Sequence, residues 1–249
     1  MTPRSRLVLF VPAAAGMAAL LVWGLVGLPD FGHYLGPYGL ILNETAVGAR
    51  HVTNVPTATN FDYRALDTLG EEFILFSGAL GLAVILRSRR ESEERPPEEP
   101  QDHHRSTSDL VRLAGLVLIG PLLVLGFYIV AHGHLTPGGG FQGGVILASG
   151  FLLTYAAATH ATMRKVRPWV LIEVTGSVGA AGYAAIGLAG LIGGSALFFN
   201  VLPLGPVGQI FSGGTIPLAN LAVSLEVSAA FVILMSELLD QALVVRKVS

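Results

Sequence analysis

Six stretches of this 249-residue sequence are long and apolar enough to cross a lipid bilayer as helices. A bilayer core of about 30 Å needs about 20 residues of helix, at a rise of about 1.5 Å per residue. Only 13% of the residues are charged, against about 25% in an ordinary soluble domain. The sequence therefore predicts an all-α, polytopic membrane protein with about six transmembrane helices, at 7–28, 69–86, 113–131, 143–163, 168–199 and 215–238.

The basic residues predict the orientation of these spans. If the N-terminus lies inside, all of the 15 Lys and Arg residues except Arg50 and Arg64 fall in cytoplasmic segments. Cytoplasmic loops are enriched in Lys and Arg, so the pattern favours six crossings with both termini in the cytoplasm. The first apolar run is too long for a secretory signal and has no convincing cleavage site, so we expect it to be retained as a helix.

A charged, Pro-rich stretch separates the second span from the third. Residues 89–109 cannot bury enough apolar surface to fold alone, and they read as a cytoplasmic linker. We therefore expect a two-span module at 1–88 and a four-span domain at 110–249. Residues 29–68 form a long segment outside the membrane, which we expect to lie against the bilayer surface or a partner subunit.

The composition excludes several kinds of chemistry. The sequence has no cysteine, which excludes thiolate catalysis and cysteine-held iron–sulfur or zinc centres on this chain. A net charge of −2 gives no indication of nucleic-acid binding. The glycine-rich run from Pro137 to Gly144 lacks the Lys-Ser/Thr ending of a phosphate loop. We expect a protein that is not an enzyme and needs no cofactor.

Acidic residues at membrane depth are the first candidates for function. The second span has too few uncharged residues unless the bilayer reaches back to Glu71 and Glu72, of which Glu72 fits a headgroup position better. Glu226 lies near the middle of the last span, either as a protonated structural group or as a group that titrates during transport. Glu173 is a weaker, interfacial candidate, whereas Glu237 is expected to be a solvated charge near the basic C-terminal end.

Two histidines and a glycine-rich run follow the third span. His132 and His134 would lie on different faces of a helix, and no third ligand is evident nearby, so a cap or a proton relay is favoured over a metal site. The run from Pro137 to Gly144 predicts a tight re-entry into the fourth span with close helix packing, and Gln142 could line a path. Its small residues are Gly138, Gly139, Gly140, Gly143 and Gly144.

Two segments of the four-span part resemble a known family. HGHLTPGGGFQGGVILASGFLLTYAAA at 132–158 and SGGTIPLANLAVSLEVSAAFVIL at 212–234 are similar to the MnhB/MrpB subunit of multisubunit Na+/H+ antiporters. The resemblance covers roughly 105–249. It implies a four-span accessory or ion-path subunit within a larger membrane complex.

The N-terminal part also has a counterpart. HVTNVPTATNFDYRALDTLGEEFIL resembles the C-terminal region of the MrpA subunit, and a related segment forms a small subunit of membrane-bound hydrogenases. Pro56 departs from that pattern by interrupting an apolar run. The residues that carry the match are Asn54, Asp62, Arg64, Asp67, Thr68, Gly70 and Glu71. The chain thus looks like a fusion of the two modules.

The resemblance and the acids together give the functional expectation. We expect a multi-pass cell-membrane subunit of an Mrp-type Na+/H+ antiporter, partnered by other subunits of the complex, with Asp67, Glu71 and Glu226 on a sodium or proton path. One rival is a purely structural subunit. A second rival is a coupling subunit of a redox-driven, complex I-related assembly of the membrane-bound hydrogenase type.

Overall fold

A computed structural model of the chain describes residues 3–28, 36–92, 109–157, 169–194 and 196–248. Within these ranges the chain forms helices and turns and no strand. The helices are α1 (Pro3–Val26), α2 (Pro37–Arg50), α3 (Val55–Ala58), α4 (Ala65–Ser92), α5 (Asp109–Ala131), α6 (Gly140–Ala157), α7 (Trp169–Gly194) and α8 (Ile216–Val248), with a π-helical turn at Thr59–Tyr63 between α3 and α4.

Each of the six predicted spans coincides with an apolar helix, which confirms the all-α membrane fold. Four helices are long and apolar enough to cross a membrane, and two contain shorter apolar segments. Helices suit this setting because every backbone polar group must be satisfied internally in lipid. The four long segments are Ala65–Leu86, Asp109–Ala131, Val170–Gly194 and Ile216–Leu239, and the shorter ones are Phe10–Val26 and Gly140–Thr154.

The predicted fifth span is too long at its C-terminal end. Its predicted end at 199 is wrong, because α7 ends at Gly194 and Phe198 has a left-handed backbone with φ of 60°, which a continuing helix cannot contain. Residues 158–163 of the predicted fourth span and 93–108 of the predicted linker lie outside the described residues. The orientation of the termini and the module boundaries remain predictions.

The chain divides into two compact units, residues 1–41 and residues 42–249. The first contains α1 and the start of α2. In the second, α8 is central, since it packs against α4, α5, α6 and α7. The core of this unit joins Val52 and Phe61, which precede α4, to Tyr183 of α7 and to Ile216 and Val223 of α8.

Glycines bring two helices into backbone contact with α8. A Cβ atom at Gly140, the first residue of α6, would lie 2.3 Å from the Asn220 carbonyl oxygen. A Cβ atom at Gly179 of α7 would lie 2.5 Å from the backbone nitrogen of Glu226. Helices in lipid associate through such small residues, because apolar surface alone gives no preference for protein over lipid. The central helix and its acid are therefore enclosed on two sides.

Candidate functional site

Glu72 of α4 and Glu226 of α8 form a buried pair of carboxyl groups, which we call the glutamate pair. Glu72 is 3% exposed and Glu226 is 1% exposed, and the two side chains lie close enough to interact. Oε2 of Glu72 and both carboxyl oxygens of Glu226 have no hydrogen bond of good geometry. Each residue lies within an apolar segment long enough to span a membrane. An ionised carboxylate at such depth costs about 3 kcal/mol or more, and two facing carboxylates repel, so the pair favours a bound cation or proton.

Aromatic packing holds the N-terminal end of α4, which precedes Glu72, in place. Tyr183 of α7 is fully buried, and its hydroxyl donates a hydrogen bond of 3.0 Å to the carbonyl oxygen of Ala65, the first residue of α4. The Tyr183 ring meets Phe61 edge-on, with 6.1 Å between ring centroids, and lies 4.9 Å from the Phe198 ring. These contacts hold α4 against α7 and α8, and so keep Glu72 facing Glu226.

The two acids that precede Glu72 in α4 lie elsewhere. Glu71 and Asp67 are both exposed on the described chain, and Asp67 pairs with Arg64, whose Nε lies 2.6 Å from Asp67 Oδ2. Successive helical residues are about 100° apart around the axis, so Glu71 and Glu72 cannot share a face. Of the residues expected on the ion path, the structure brings Glu226 to the pair but not Asp67 or Glu71.

Sequence reasoning assigned Glu72 to the headgroups, and the structure instead buries it. A weak signal was present in the sequence, because Ala65, Thr68, Glu72 and Ala79 follow helical spacing and all four are buried.

The expectation that Glu237 is a solvated charge is also wrong, since this residue is 4% exposed and its Oε2 has no hydrogen bond. Glu173 is half-buried in the first turns of α7.

The glycine-rich run forms the predicted tight entry into α6. Gly138 and Gly139 have φ of 154° and 151°, values that residues other than glycine rarely adopt. The Gly140 N–H then donates a hydrogen bond of 2.8 Å to Oδ1 of Asn220, which anchors the start of α6 to α8. Gln142 and Pro137 are exposed, so a role for Gln142 on a path within this chain stays a prediction.

The remaining glycines of the run sit against neighbouring helices. A Cβ atom at Gly143 would lie 2.3 Å from Cγ2 of Val130 in α5, and one at Gly144 would lie 2.9 Å from Cβ of Val227 in α8. Gly143 therefore faces α5 and Gly144 faces α8. Close packing on both sides leaves no room for a larger side chain.

The two histidines have different surroundings. His132 is half-buried and its ring stacks on Tyr128 with 4.4 Å between centroids. His134 is fully buried, and neither ring nitrogen makes a hydrogen bond of good geometry. Burial lowers the pKa of His134, although the nearby backbone of Gln209 and Ile210 acts in the opposite direction. Among the residues that the structure describes, no three His, Cys, Asp or Glu side chains are grouped to hold a metal ion.

The segment before α4 clamps the loop that carries the histidines. The Asn54 side-chain amide donates hydrogen bonds to the carbonyl oxygens of Gly133 at 2.7 Å and Thr136 at 2.9 Å. The Thr57 hydroxyl donates to the same Gly133 oxygen at 2.7 Å. Because loops need their backbone groups satisfied when they are buried, these hydrogen bonds stabilise the shape of the loop.

An ion pair lies in the same segment before α4. Nε of Arg50 lies 2.6 Å from Oδ1 of Asp62, and the Arg50 guanidinium lies 5.0 Å from the centre of the Tyr63 ring. Asn200 links Asp62 to the start of α8, since its Oδ1 accepts a hydrogen bond of 2.9 Å from the Thr215 N–H. The contact of Asn200 with Asp62 could not be predicted from the sequence, because 138 positions separate the two residues.

The fold and the glutamate pair define a multi-pass membrane protein with two acids facing each other at membrane depth. A family model, described as a domain related to the MnhB subunit of Na+/H+ antiporters, matches residues 110–233. The chain belongs to this family, which confirms the resemblance noted in residues 105–249. An uncharacterised protein of Methanocaldococcus jannaschii is 30% identical over 210 residues, covering 76% of this chain and 78% of that protein.

Two solved complexes contain chains with the same fold. One chain of the membrane-bound sulfane sulfur reductase, an archaeal respiratory membrane complex, matches with a TM-score of 0.71 and 30% identity, covering 94% of this chain and 97% of that chain. One chain of the Mrp complex from Dietzia sp. DQ12-45-1b matches with a TM-score of 0.72 and 24% identity. That match covers 96% of this chain but only 26% of the longer Dietzia chain.

Proposed function

We propose that this chain is a membrane subunit of a multisubunit, Mrp-type Na+/H+ antiporter in the cell membrane, and that the glutamate pair lies on its cation or proton path. The observation that carries the proposal is the pair itself, buried in a chain with an MnhB-related domain. Glu226 belongs to that domain and Glu72 to the segment that precedes it. Both predicted modules therefore contribute to one site.

The chemistry of the pair suits exchange of two cations. A carboxyl oxygen either bonds a proton or, once ionised, offers a hard oxygen ligand to Na+. Because these two states exclude each other at one oxygen, a site that releases a proton when it takes up Na+ couples the two ions. Two acids also let the site bind one cation without leaving both carboxyls charged.

Exposed acids on the same helix suit a different role. Asp67 and Glu71 face outward from the described chain, where another subunit of a larger complex would cover them. Lipid would not receive charged groups at low cost, so a polar or charged partner surface fits this face. We propose that Asp67 and Glu71 contribute to the ion path at a boundary with another subunit and not at the glutamate pair.

The proposal is tested by antiport in everted membrane vesicles that contain the whole complex. Glu72→Gln and Glu226→Gln should each lower antiport by about tenfold or more, because an amide neither takes up a proton nor offers an ionised oxygen to Na+. Glu44→Gln makes the same chemical change at an exposed position of α2 and should leave antiport unchanged. Full antiport in both pair variants, with normal assembly, would remove the pair from the path.

Glu71→Gln compares the pair with the outward face of α4. If the pair carries the ions, Glu71→Gln should lower antiport less than Glu72→Gln does, although the two acids are adjacent in sequence. A larger loss in Glu71→Gln would place the path on the outward face of α4, against a partner subunit.

A second candidate function is a coupling subunit of a redox-driven membrane complex. The observation that favours it is the match to a chain of the sulfane sulfur reductase, which covers nearly all of both chains. The complex purified through a tag on this chain should then contain iron–sulfur subunits, visible as iron and acid-labile sulfide. A complex that contains only membrane subunits and exchanges Na+ for H+ would support the antiporter.

A further inference from the structure

Glu237 is a second buried acid on α8 that the glutamate pair does not use. It lies eleven residues after Glu226, which is about three helical turns, or about 16 Å along the axis. Eleven steps of about 100° return to nearly the same face of the helix, so Glu237 continues the face that carries Glu226. Its side chain is 4% exposed and Oε2 has no hydrogen-bond partner.

Apolar side chains fill the space along this face between the two acids. Ala230 and Ile233 of α8 pack with Ala79 of α4 in a buried cluster, which we call the apolar seal. Further apolar residues of α4, α7 and α8 surround it, namely Leu75, Ala83, Ile172 and Leu234. The order of side chains along α8 is therefore acid, apolar seal, acid.

This order is the arrangement of a gated path. A dry apolar constriction blocks ions until it opens or takes up water, whereas acids on either side hold a proton or cation at each end. A buried carboxyl oxygen without a hydrogen-bond partner is unfavourable compared with an apolar group of similar size. Burial of Glu237 at the end of the seal thus indicates a role in ion exchange, not in packing.

We propose that Glu237 is the ion-exchange residue at the C-terminal end of the apolar segment Ile216–Leu239 of α8, and that the apolar seal separates it from the glutamate pair. Protons or Na+ would then move between the C-terminal side of the membrane and the pair in two stages, with Glu237 as the first or last carrier. This inference rests on the proposed antiport function and adds the residue through which one side of the membrane reaches the pair.

Antiport in vesicles containing the whole complex provides the first test. Glu237→Gln should lower antiport per assembled complex by about tenfold, because an amide cannot exchange a proton or Na+, and Glu237→Asp should retain most of it, since the shorter side chain keeps the carboxyl. Full antiport in Glu237→Gln, while Glu226→Gln is inactive, would overturn this inference and leave the proposed function standing. Full antiport in both variants would remove both.

Thiol labelling provides a second test that does not depend on activity. Because the chain has no cysteine, Glu237→Cys and Ala230→Cys each introduce a single thiol that can be followed on the tagged subunit. A membrane-impermeant maleimide should label Glu237→Cys from the C-terminal side only, and should label Ala230→Cys from neither side. Labelling of Ala230→Cys from the C-terminal side would show that no seal is present, and failure to label Glu237→Cys from either side would show that Glu237 does not exchange with water.

If Glu237→Gln lowers assembly of the complex, a polar substitution within the apolar seal provides a third test. Ile233→Ser places a hydroxyl in the seal and should hydrate it, so an imposed proton gradient should decay faster in vesicles. Leu238→Ser is the matched control, because Leu238 lies on the same helix but is 50% exposed and does not belong to the cluster. A gradient that decays at the same rate in Ile233→Ser as in the parent complex would contradict the seal.

Discussion

Adjacent residues in this protein have opposite environments, and the glutamates of α4 show this most clearly. Glu71 is exposed and Glu72 is buried against Glu226, because one step along a helix turns the side chain by about 100°. Sequence alone identified both acids at membrane depth but favoured a headgroup position for Glu72, the one that the structure buries. Their difference depends on which face of α4 meets α8, and this is set by contacts between residues about 150 positions apart.

At the same scale, His134 predicts a pH dependence of stability. Burial lowers the pKa of His134, so the folded loop holds His134 neutral at pH values where the unfolded side chain would take up a proton. The stability is fully present above the ordinary histidine pKa of about 6.5 and is lost as the pH falls below it. The thermal unfolding temperature of the detergent-solubilised complex should therefore fall more steeply on acidification in the parent protein than in His134→Gln.

His132→Gln is the control for this measurement. His132 is half-buried and stacked on Tyr128, and it is the titratable neighbour that acts on His134. Its replacement should leave most of the acid sensitivity in place. Equal acid sensitivity in the parent and in His134→Gln would show that the loop does not depend on a neutral His134.

At the scale of helices, glycines decide where α5, α6, α7 and α8 meet. Leucine at Gly143 would collide with Val130, and leucine at Gly139 would require a side chain at φ of 151° and would meet Gln142. Overpacking of this kind costs about 1–3 kcal/mol or more. We predict that Gly139→Leu and Gly143→Leu reduce the amount of assembled complex on blue-native gels more than Gln142→Ala does.

Gly120→Leu is the matched control, because a Cβ atom at Gly120 of α5 meets nothing within 4 Å. It makes the same change of residue in an apolar helix without a close neighbour inside this chain. Complexes that assemble fully with both Gly139→Leu and Gly143→Leu would contradict the close-packing account. In that case the glycine-rich run would be only a permissive turn.

The extent of the helices was largely predictable, and their contacts were not. Apolar runs identify spans because lipid demands about 20 apolar residues, and all six predicted spans coincide with apolar helices. The end of α7 was misplaced since Leu197 and Phe198 are apolar although they lie in a turn. Burial of Glu237 was missed because nearby Arg and Lys residues in the sequence suggested a solvated end.

At the scale of the whole molecule, residues from both predicted modules build one compact unit, residues 42–249. Tyr183 bonds Ala65, Asn54 bonds Gly133, and Glu72 faces Glu226. These contacts join segments on opposite sides of the charged stretch at 93–108. We therefore predict that the fold of the site depends on these contacts and not on the chain connection through 93–108.

Cutting the chain within this stretch tests that dependence. Fragments 1–98 and 99–249, produced together, should co-purify and restore antiport to a large part of the level of the intact chain, since the contacts between α4, α7 and α8 need no covalent connection. Tyr183→Phe removes the bond to Ala65 and should weaken co-purification by roughly the value of one buried hydrogen bond, about 1 kcal/mol. Fragments that separate completely would show that the linker holds the modules together.

The central claim is that Glu72 and Glu226 act as one ion-binding unit, and a double-mutant cycle on antiport tests it most directly. Antiport is measured in everted vesicles for Glu72→Gln, Glu226→Gln, the double variant and the parent complex, at equal amounts of assembled protein. Residues that act as a unit give strongly non-additive losses. We predict that the double variant loses no more antiport than the more damaging single variant, whereas losses that multiply would show that the two acids act independently and would contradict a shared site.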